Sequence, residues 1–246
     1  MTDPIKGLVY RIAANAGRMN EGVEKTVRMG DRGELMVMST MGGLHMAGQE
    51  GTYFSAQNAT IGTGIAAGGV TQTAWVATTP SLTLFNNNEV GGKSIIMDSI
   101  ELINTVAGAS LTDYQFAVFL DSIDRYSSGG TALAIKGHNM ELAGTSNALV
   151  YFGAITAVAA SANVRKIGRG YFHTAIPVIN DQYVIRFGGN MGENMANLAA
   201  TTASIIVMPC GPAVIGPQQS LLVYLWGTAM ATTSPAFEVV CGFMER

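Results

Sequence analysis

Short apolar runs with the two-residue period of β-strands recur from residue 81 to residue 245. Clusters of turn residues, such as NNNEVGG and GPQQ, separate these runs. The alternation predicts about eight to ten strands and almost no helix. The runs are SLTLFN (81–86), SIIMDSIELIN (94–104), DYQFAVFLD (113–121), ALVYFG (148–153), QYVIRFG (182–188), SIIVM (204–208), SLLVYLW (220–226) and AFEVVCGFME (236–245).

The fold class that this pattern predicts is all-β, an antiparallel β-sandwich or jelly roll. The best helical candidate, ENMANLAA (193–200), is long enough for only one or two turns. Charged residues make up 13% of the chain, about half the usual share of roughly 25%. A sandwich with few charges must protect its strand edges, and oligomerisation does so most simply.

The run SLLVYLW is apolar on both faces, which predicts a strand that is buried on both sides. Two surroundings fit this pattern equally: a central position in the core of one chain, or an interface between subunits. The interface alternative makes Leu222, Tyr224 and Trp226 candidate contact residues.

A change in charge density predicts the one internal boundary. Twelve of the first 50 residues are charged, against 19 of the remaining 196. We therefore predict an N-terminal arm or extension over residues 1–50 and a sandwich domain over residues 51–246. Methionine adapts to irregular surfaces, so Met36, Met38 and Met41 are candidate contacts of an arm lying on a neighbouring subunit. Alternatively, this segment forms the first strand and loops of the same domain.

Charge and hydropathy argue against two classes of partner. The net charge of −3 leaves no basic excess for nucleic acid. No uninterrupted apolar run reaches the roughly 18 residues that a membrane-spanning helix needs. The first residues, MTDPIKGLVYRIAANAG, lack the apolar core of a secretory signal peptide. We therefore expect synthesis in a reducing cytosol, with neither nucleic acid nor membrane as a partner.

Residues able to carry chemistry are scattered singly along the sequence. His45, His138 and His173 lie in no triad-like or metal-ligand spacing. Cys210 and Cys241 stand in apolar surroundings and are expected to be buried, inert thiols. The sequence thus predicts no catalytic residue, no cofactor and no metal, and the protein is not expected to be an enzyme.

Three local patterns admit both a functional and a plain interpretation. GTGIAAGG (62–69) loosely matches a dinucleotide-binding loop, but no βαβ unit surrounds it, so an ordinary loop is favoured. DSIDRYSSGG (121–130) lacks the alternation of an EF-hand, which favours a solvated turn. Arg165, Lys166 and Arg169 form the densest basic cluster, which could hold an acidic partner or phosphate, or could be a solvated strand end.

The order of the strand segments resembles that of head decoration, or cement, proteins of tailed bacteriophages, over roughly residues 75 to 246. The segments that carry the resemblance are TTPSLTLFNN, GGKSIIMDSIELI, FAVFLD with SSGGTAL, GRGYFHTAIPVINDQYVIRFGG, VIGPQQSLLVYLWG and AFEVVCGFMER. The resemblance implies a jelly-roll fold and a homotrimer on the capsid surface, in contact with the major capsid protein of a virion.

Two other functions remain open at this stage. A tail or fibre module that binds a host glycan or receptor would use exposed aromatic residues such as Trp75, Tyr126 or Tyr151, because sugar rings stack on aromatic faces. An enzyme of the cupin or glycan-hydrolase kind shares the fold class. A cupin site needs clustered histidines with a carboxylate, which this sequence does not supply.

Overall fold

The computed structural model describes residues 47–68, 73–142, 144–173, 176–188, 205–233 and 235–246. These residues form two β-sheets packed face to face, which confirms the predicted all-β sandwich. The described helix α1 (Met230–Thr233) is a single turn. None of the described helices is long and apolar enough to cross a membrane. The helical candidate at 193–200 and the arm residues Met36, Met38 and Met41 lie outside the described residues.

The larger sheet has eight strands and is built around β4 and β14, which pair with each other near its centre. Its main path runs β11, β10, β4, β14, β1, β7, with β12 also pairing with β4 and β2 with β14. The strands are β1 (Tyr53–Gln57), β2 (Ile65–Ala66), β4 (Ile95–Asn104), β7 (Ala134–Gly137), β10 (Gln182–Phe187), β11 (Ile205–Cys210), β12 (Val214–Ile215) and β14 (Ala236–Glu245).

The smaller sheet has six strands in the order β6, β8, β3, β13, β5, β9. The strands are β3 (Leu82–Asn86), β5 (Tyr114–Asp121), β6 (Tyr126–Ala132), β8 (Ala148–Ala157), β9 (Arg165–His173) and β13 (Ser220–Gly227). Each of the eight apolar runs singled out in the sequence forms a strand, and the strand bounds differ from those of the run by at most four residues.

The core between the sheets is lined by alternate side chains of the long strands. Tyr114 of β5 meets Tyr183 of β10 with ring centroids 6.3 Å apart, and Phe152 of β8 meets Phe237 of β14 at 6.4 Å. All four side chains are at most 2% exposed. Full burial of a large apolar side chain contributes about 1.5–3 kcal/mol, so these contacts hold the two sheets together.

One strand pair departs from the antiparallel pattern that the sequence predicts. Among the described residues, β10 and β11 are the only parallel neighbours, with Gln182 opposite Ile205 and Phe187 opposite Cys210. A parallel pair needs a long return connection rather than a tight turn. The chain provides it between Phe187 and Ile205, where the sequence is long enough for such a return.

The strand count of fourteen among the described residues exceeds the eight to ten expected. Two of the additional strands, β6 and β9, are rich in Ser, Gly and charged residues, which the hydropathy pattern assigned to a turn and to a basic cluster. In β6, Gly129 and Gly130 have φ of 81° and 70°. A Cβ at Gly129 would meet the Ala154 carbonyl oxygen at 2.3 Å, so glycine is needed where this strand bulges against β8.

Candidate functional site

The outer face of the six-stranded sheet brings together most of the contact candidates from the sequence. The register places Lys166 opposite Phe119, and Phe119 opposite Leu222. Further along the same strands, the guanidinium carbon of Arg169 on β9 lies 5.8 Å from the centroid of the Trp226 ring on β13. The basic cluster of β9 and the apolar outer face of β13 therefore form a single surface, with β5 between them.

Residues 73–80 cross this outer face and cover part of it. The Trp75 ring stacks on Phe119 at 5.7 Å and meets Tyr224 edge-on at 5.8 Å. The Tyr224 hydroxyl donates a 2.8 Å hydrogen bond to the Ala77 carbonyl oxygen. Leu222 and Tyr224 are 0% and 3% exposed, so burial within one chain accounts for both faces of β13. No partner can contact these two side chains directly while residues 73–80 lie over them.

Arg125 hydrogen-bonds this covering segment to the sheet. Its guanidinium donates to the Ala77 carbonyl at 2.9 Å, to the Val158 carbonyl at 2.8 Å and to the Asp121 carboxylate at 2.8 Å. The side chains of Arg125 and Asp121 are 1% and 0% exposed. A buried charge is costly unless it is paired and hydrogen-bonded, and here all three partners are supplied by the fold.

Asp121 is further held by Ser161, whose hydroxyl and backbone N–H both donate to the carboxylate. Burial by itself raises the pKa of the Asp121 carboxyl. The hydrogen bonds from Ser161 and Arg125 outweigh that effect and lower the pKa below its usual range. The interpretation of DSIDRYSSGG as a solvated turn is thus wrong at Asp121. Its alternative, a calcium site, finds no support either, because the carboxylate is already engaged by Arg125.

Between the covering segment and β9 lies a cleft of about 480 Å³, which we call the aromatic cleft. Both tryptophans of the chain, Trp75 and Trp226, line it. Among the described residues that line it, the cations are Lys166 and Arg169, and there is no Asp or Glu. The described lining residues are Thr73, Ala74, Trp75, Ala117, Phe119, Lys166, Arg169 and Trp226.

The remaining aromatic and basic candidates lie elsewhere. Arg165 is exposed and pairs with Leu120, outside the lining of the cleft. Tyr126 and Tyr151 stack in parallel, with centroids 4.0 Å apart and planes at 9°. They lie on β6 and β8, at the opposite edge of the sheet from β9. Trp75 is therefore the only one of the three named aromatic residues that lines the aromatic cleft.

A second surface, the apolar end, is formed by the loops at one end of the sandwich. The Asn104 side-chain amide donates to the carbonyls of Val106 at 2.7 Å and Val178 at 2.9 Å. The Gly108 N–H donates to the Pro177 carbonyl at 2.7 Å. These bonds join the loop after β4 to the loop before β10, and β11 begins beside the start of β10. The apolar end exposes Val106, Leu111, Ile176, Ile179 and Ile205, each between 40% and 66% exposed.

The histidines and cysteines are engaged in the fold where the structure describes them. His138 Nε2 lies 3.0 Å from the Ser55 hydroxyl, and its ring meets Tyr53 edge-on. His45 and the His173 side chain fall outside the described residues. Cys210 and Cys241 are buried free thiols, as the sequence predicts. Within the described ranges, no three His, Cys, Asp or Glu side chains could share a metal ion.

Sequence reasoning missed Phe119 and Arg125 as parts of this site. Phe119 lies on the face of β5 opposite to Phe116 and Val118, which pack in the core between the sheets and give the clearer apolar alternation of this strand. Arg125 left little signal, because Asp121, four residues away, is its one partner nearby in sequence, while Ala77 and Val158 are distant. Comparisons of the chain with protein-family models, with curated proteins and with solved structures found no match.

Proposed function

We propose that the protein is a structural component of a tailed-bacteriophage virion that decorates the capsid surface. In this proposal it assembles as a homotrimer and cements the lattice by contacts with the major capsid protein. The observation that carries the proposal is the apolar end. Exposed apolar side chains gathered on neighbouring loops are typical of surfaces that contact other proteins.

The charge distribution at the apolar end supports the same function. The loops at 105–113 and 176–181 contain only two charged residues, Asp113 and Asp181, and Asp181 is fully buried. Protein interfaces are depleted of charge at their centres, while their rims are polar. A surface with this composition fits contact with a second protein better than contact with a polar small molecule.

The hydrogen bonds beneath the apolar end add a second argument. Asn104 is 0% exposed and ties the two loops together. Loops held by buried hydrogen bonds lose little conformational entropy when a partner binds, which favours association. The segment resemblance to decoration proteins assigns this partner to the capsid, and the low overall charge agrees with a chain that works inside an assembly.

The test is co-sedimentation of the purified full-length chain with capsids that lack it, with light scattering to measure the oligomer. The interface variant combines Leu111→Asp with Ile179→Asp, since these residues are 66% and 48% exposed. The matched control combines Val90→Asp with Met140→Asp, which are 89% and 95% exposed at the opposite end of the sandwich. All four sites are exposed, so each pair should leave the circular dichroism spectrum unchanged.

We expect saturable capsid binding by the wild type and by the control. The interface variant should bind at least about tenfold more weakly or lose the trimer, because a carboxylate would be buried without a partner. Equal binding by both double variants would remove the apolar end from the proposal. A wild-type chain that never pellets with capsids would overturn the proposed function itself.

A further inference from the structure

We propose that the aromatic cleft is a binding site for an acidic saccharide, a pyranose ring that carries a carboxylate. This inference is independent of the capsid proposal, since it rests on the outer face of the six-stranded sheet and not on the apolar end. The site joins two features that such a ligand needs: aromatic rings beside an open volume, and cations that the protein does not neutralise.

The charge of the cleft favours an anion. Among the described residues, the Lys166 ammonium has no hydrogen-bond or ion-pair partner. Within the part of the chain that the structure describes, Arg169 makes a long hydrogen bond of 3.4 Å to the Gln115 side chain and a contact with the Trp226 ring. Both cations lie on β9, three residues apart, and both line the cleft. A ligand carboxylate can therefore accept charge-assisted hydrogen bonds without displacing a protein carboxylate.

The aromatic residues favour a ring over a simple anion. One side of the Trp75 indole packs on Phe119, yet the residue remains 45% exposed. A sugar ring presents an apolar C–H face that packs on such an aromatic surface, while its hydroxyls point to polar groups at the edge. Thr73 also lines the cleft, and a threonine hydroxyl can donate to or accept from a sugar hydroxyl.

The site is also preformed. Residues 73–80 are held by the bonds of Ala77 to Arg125 and Tyr224, two side chains that are 1% and 3% exposed. Binding therefore does not have to order the segment that carries Trp75, which lowers its entropic cost. The cleft volume of about 480 Å³ lies within the roughly 300–1,000 Å³ that is usual for small-ligand sites.

An acidic peptide is the competing occupant, and the position of the cleft argues against it. The cleft lies over the face of β5, which is hydrogen-bonded on both sides, to β13 and to β9. On the outer side of β9, the edge strand of this sheet, the Ile167 carbonyl already accepts a hydrogen bond from the Gly211 N–H. An extended peptide binds best where a free sheet edge offers backbone hydrogen bonds. The cleft instead offers rings and side-chain cations, which suit a saccharide.

Intrinsic tryptophan fluorescence can report on this site without an added label, because the only two tryptophans of the chain both line the cleft. We would titrate the full-length protein with trigalacturonate and follow tryptophan fluorescence, with calorimetry as a second readout. The matched probe is the methyl ester of the same trisaccharide, which keeps the rings and removes the charge. Hexaglutamate serves as the acidic peptide, and sodium acetate as a carboxylate without a ring.

We expect a saturable fluorescence change with trigalacturonate and binding at least about tenfold weaker with the ester, since the ester cannot accept charge-assisted hydrogen bonds from Lys166 and Arg169. Lys166→Gln and Arg169→Gln should each weaken binding about tenfold, measured by calorimetry. Lys136→Gln, an exposed lysine on the edge strand β7 of the other sheet, should bind as the wild type does. Trp75→Leu should also weaken binding, measured by calorimetry well below the melting temperature of the variant, because it removes the exposed aromatic face on which a sugar ring would pack.

Three results would overturn the inference: no saturable signal with trigalacturonate, equal affinity for the ester, or hexaglutamate binding as tightly as the saccharide. The last result would assign the cleft to acidic peptides. The apolar-end variants should titrate with trigalacturonate as the wild type does, and the cleft variants should still pellet with capsids. Failure of this inference and failure of the capsid proposal are thus separable.

Discussion

The guanidinium of Arg125 and the carboxylate of Asp121 form a buried ion pair, with 2.8 Å between Nη1 and Oδ2. The pair joins the end of β5 to the segment that covers the outer sheet face, because Arg125 also binds the Ala77 carbonyl. The aromatic cleft thereby depends on a contact that lies outside its own lining. The hydrogen bonds of Arg125 and Tyr224 to the Ala77 carbonyl, which hold residues 73–80 on the sheet, also set the shape of the cleft.

Replacing Arg125 with methionine should destabilise the protein by about 3–5 kcal/mol, because Asp121 would keep a buried charge without its cation. The carbonyls of Ala77 and Val158 would also lose their donor. Urea unfolding followed by circular dichroism measures the loss. Arg165→Met, at an exposed arginine, is the control and should change the stability by less than about 0.5 kcal/mol. Equal effects of the two substitutions would contradict the role assigned to Arg125.

The stability should also fall in acid, because the pKa of Asp121 is lower in the folded chain than in the unfolded one. The stabilisation that the lowered pKa of Asp121 contributes is fully present above the unfolded pKa of about 4. It is lost as the pH falls through the folded pKa, since the unfolded chain then binds more protons. Unfolding free energies measured from pH 6 down to pH 2 should decline more steeply in the wild type than in Asp121→Asn. Parallel profiles for the two proteins would contradict this assignment.

Hydropathy patterns were sufficient to predict the all-β sandwich, because the core strands are either alternating or, as in β13, apolar throughout. In β14, predicted over its exact length, Phe237, Val239 and Cys241 are buried at every second position. The strands β6 and β9 escaped prediction because their backbones pair while their side chains are small or charged. Pairing of that kind is decided by neighbouring strands and leaves no local hydropathy signal.

The candidate site was predictable only in its parts. Lys166 and Arg169 were singled out in the sequence as parts of one basic cluster, and Trp226 was singled out separately as part of SLLVYLW. They are brought together by the order β13, β5, β9, and β9 and β13 are about fifty residues apart in sequence. A local pattern contains no information on which strands become neighbours, so the aromatic cleft required the structure.

Both thiols should be unreactive in the folded protein. Burial raises the pKa of the Cys210 thiol to about 11 and that of Cys241 to about 12. Since the thiolate is the reactive species, DTNB at pH 8 should modify neither residue in the native chain and both in urea. The same shifts imply that stability falls as the pH rises above the unfolded thiol pKa of about 8.5. Stoichiometric labelling of either cysteine within minutes under native conditions would contradict this burial.

Gly168 and Cys210 should be energetically coupled across the sandwich. A Cβ built at Gly168 would lie 2.2 Å from the Cys210 sulfur, so Gly168→Ala should cost about 1–3 kcal/mol through overpacking. Cys210→Ala removes that sulfur, and the double variant should therefore be more stable than the sum of the single effects predicts. A double-mutant cycle of urea unfolding curves measures this coupling.

The control for this cycle is Gly48→Ala, where an added Cβ would meet nothing within 4 Å. Its effect should simply add to that of Cys210→Ala, because the two sites share no contact. Additivity in the Gly168 cycle as well would show that β9 and β11 separate enough to admit the methyl group. Coupling in the Gly168 cycle alone would establish that β9, which carries both cations of the aromatic cleft, is held rigidly against the neighbouring sheet at this point.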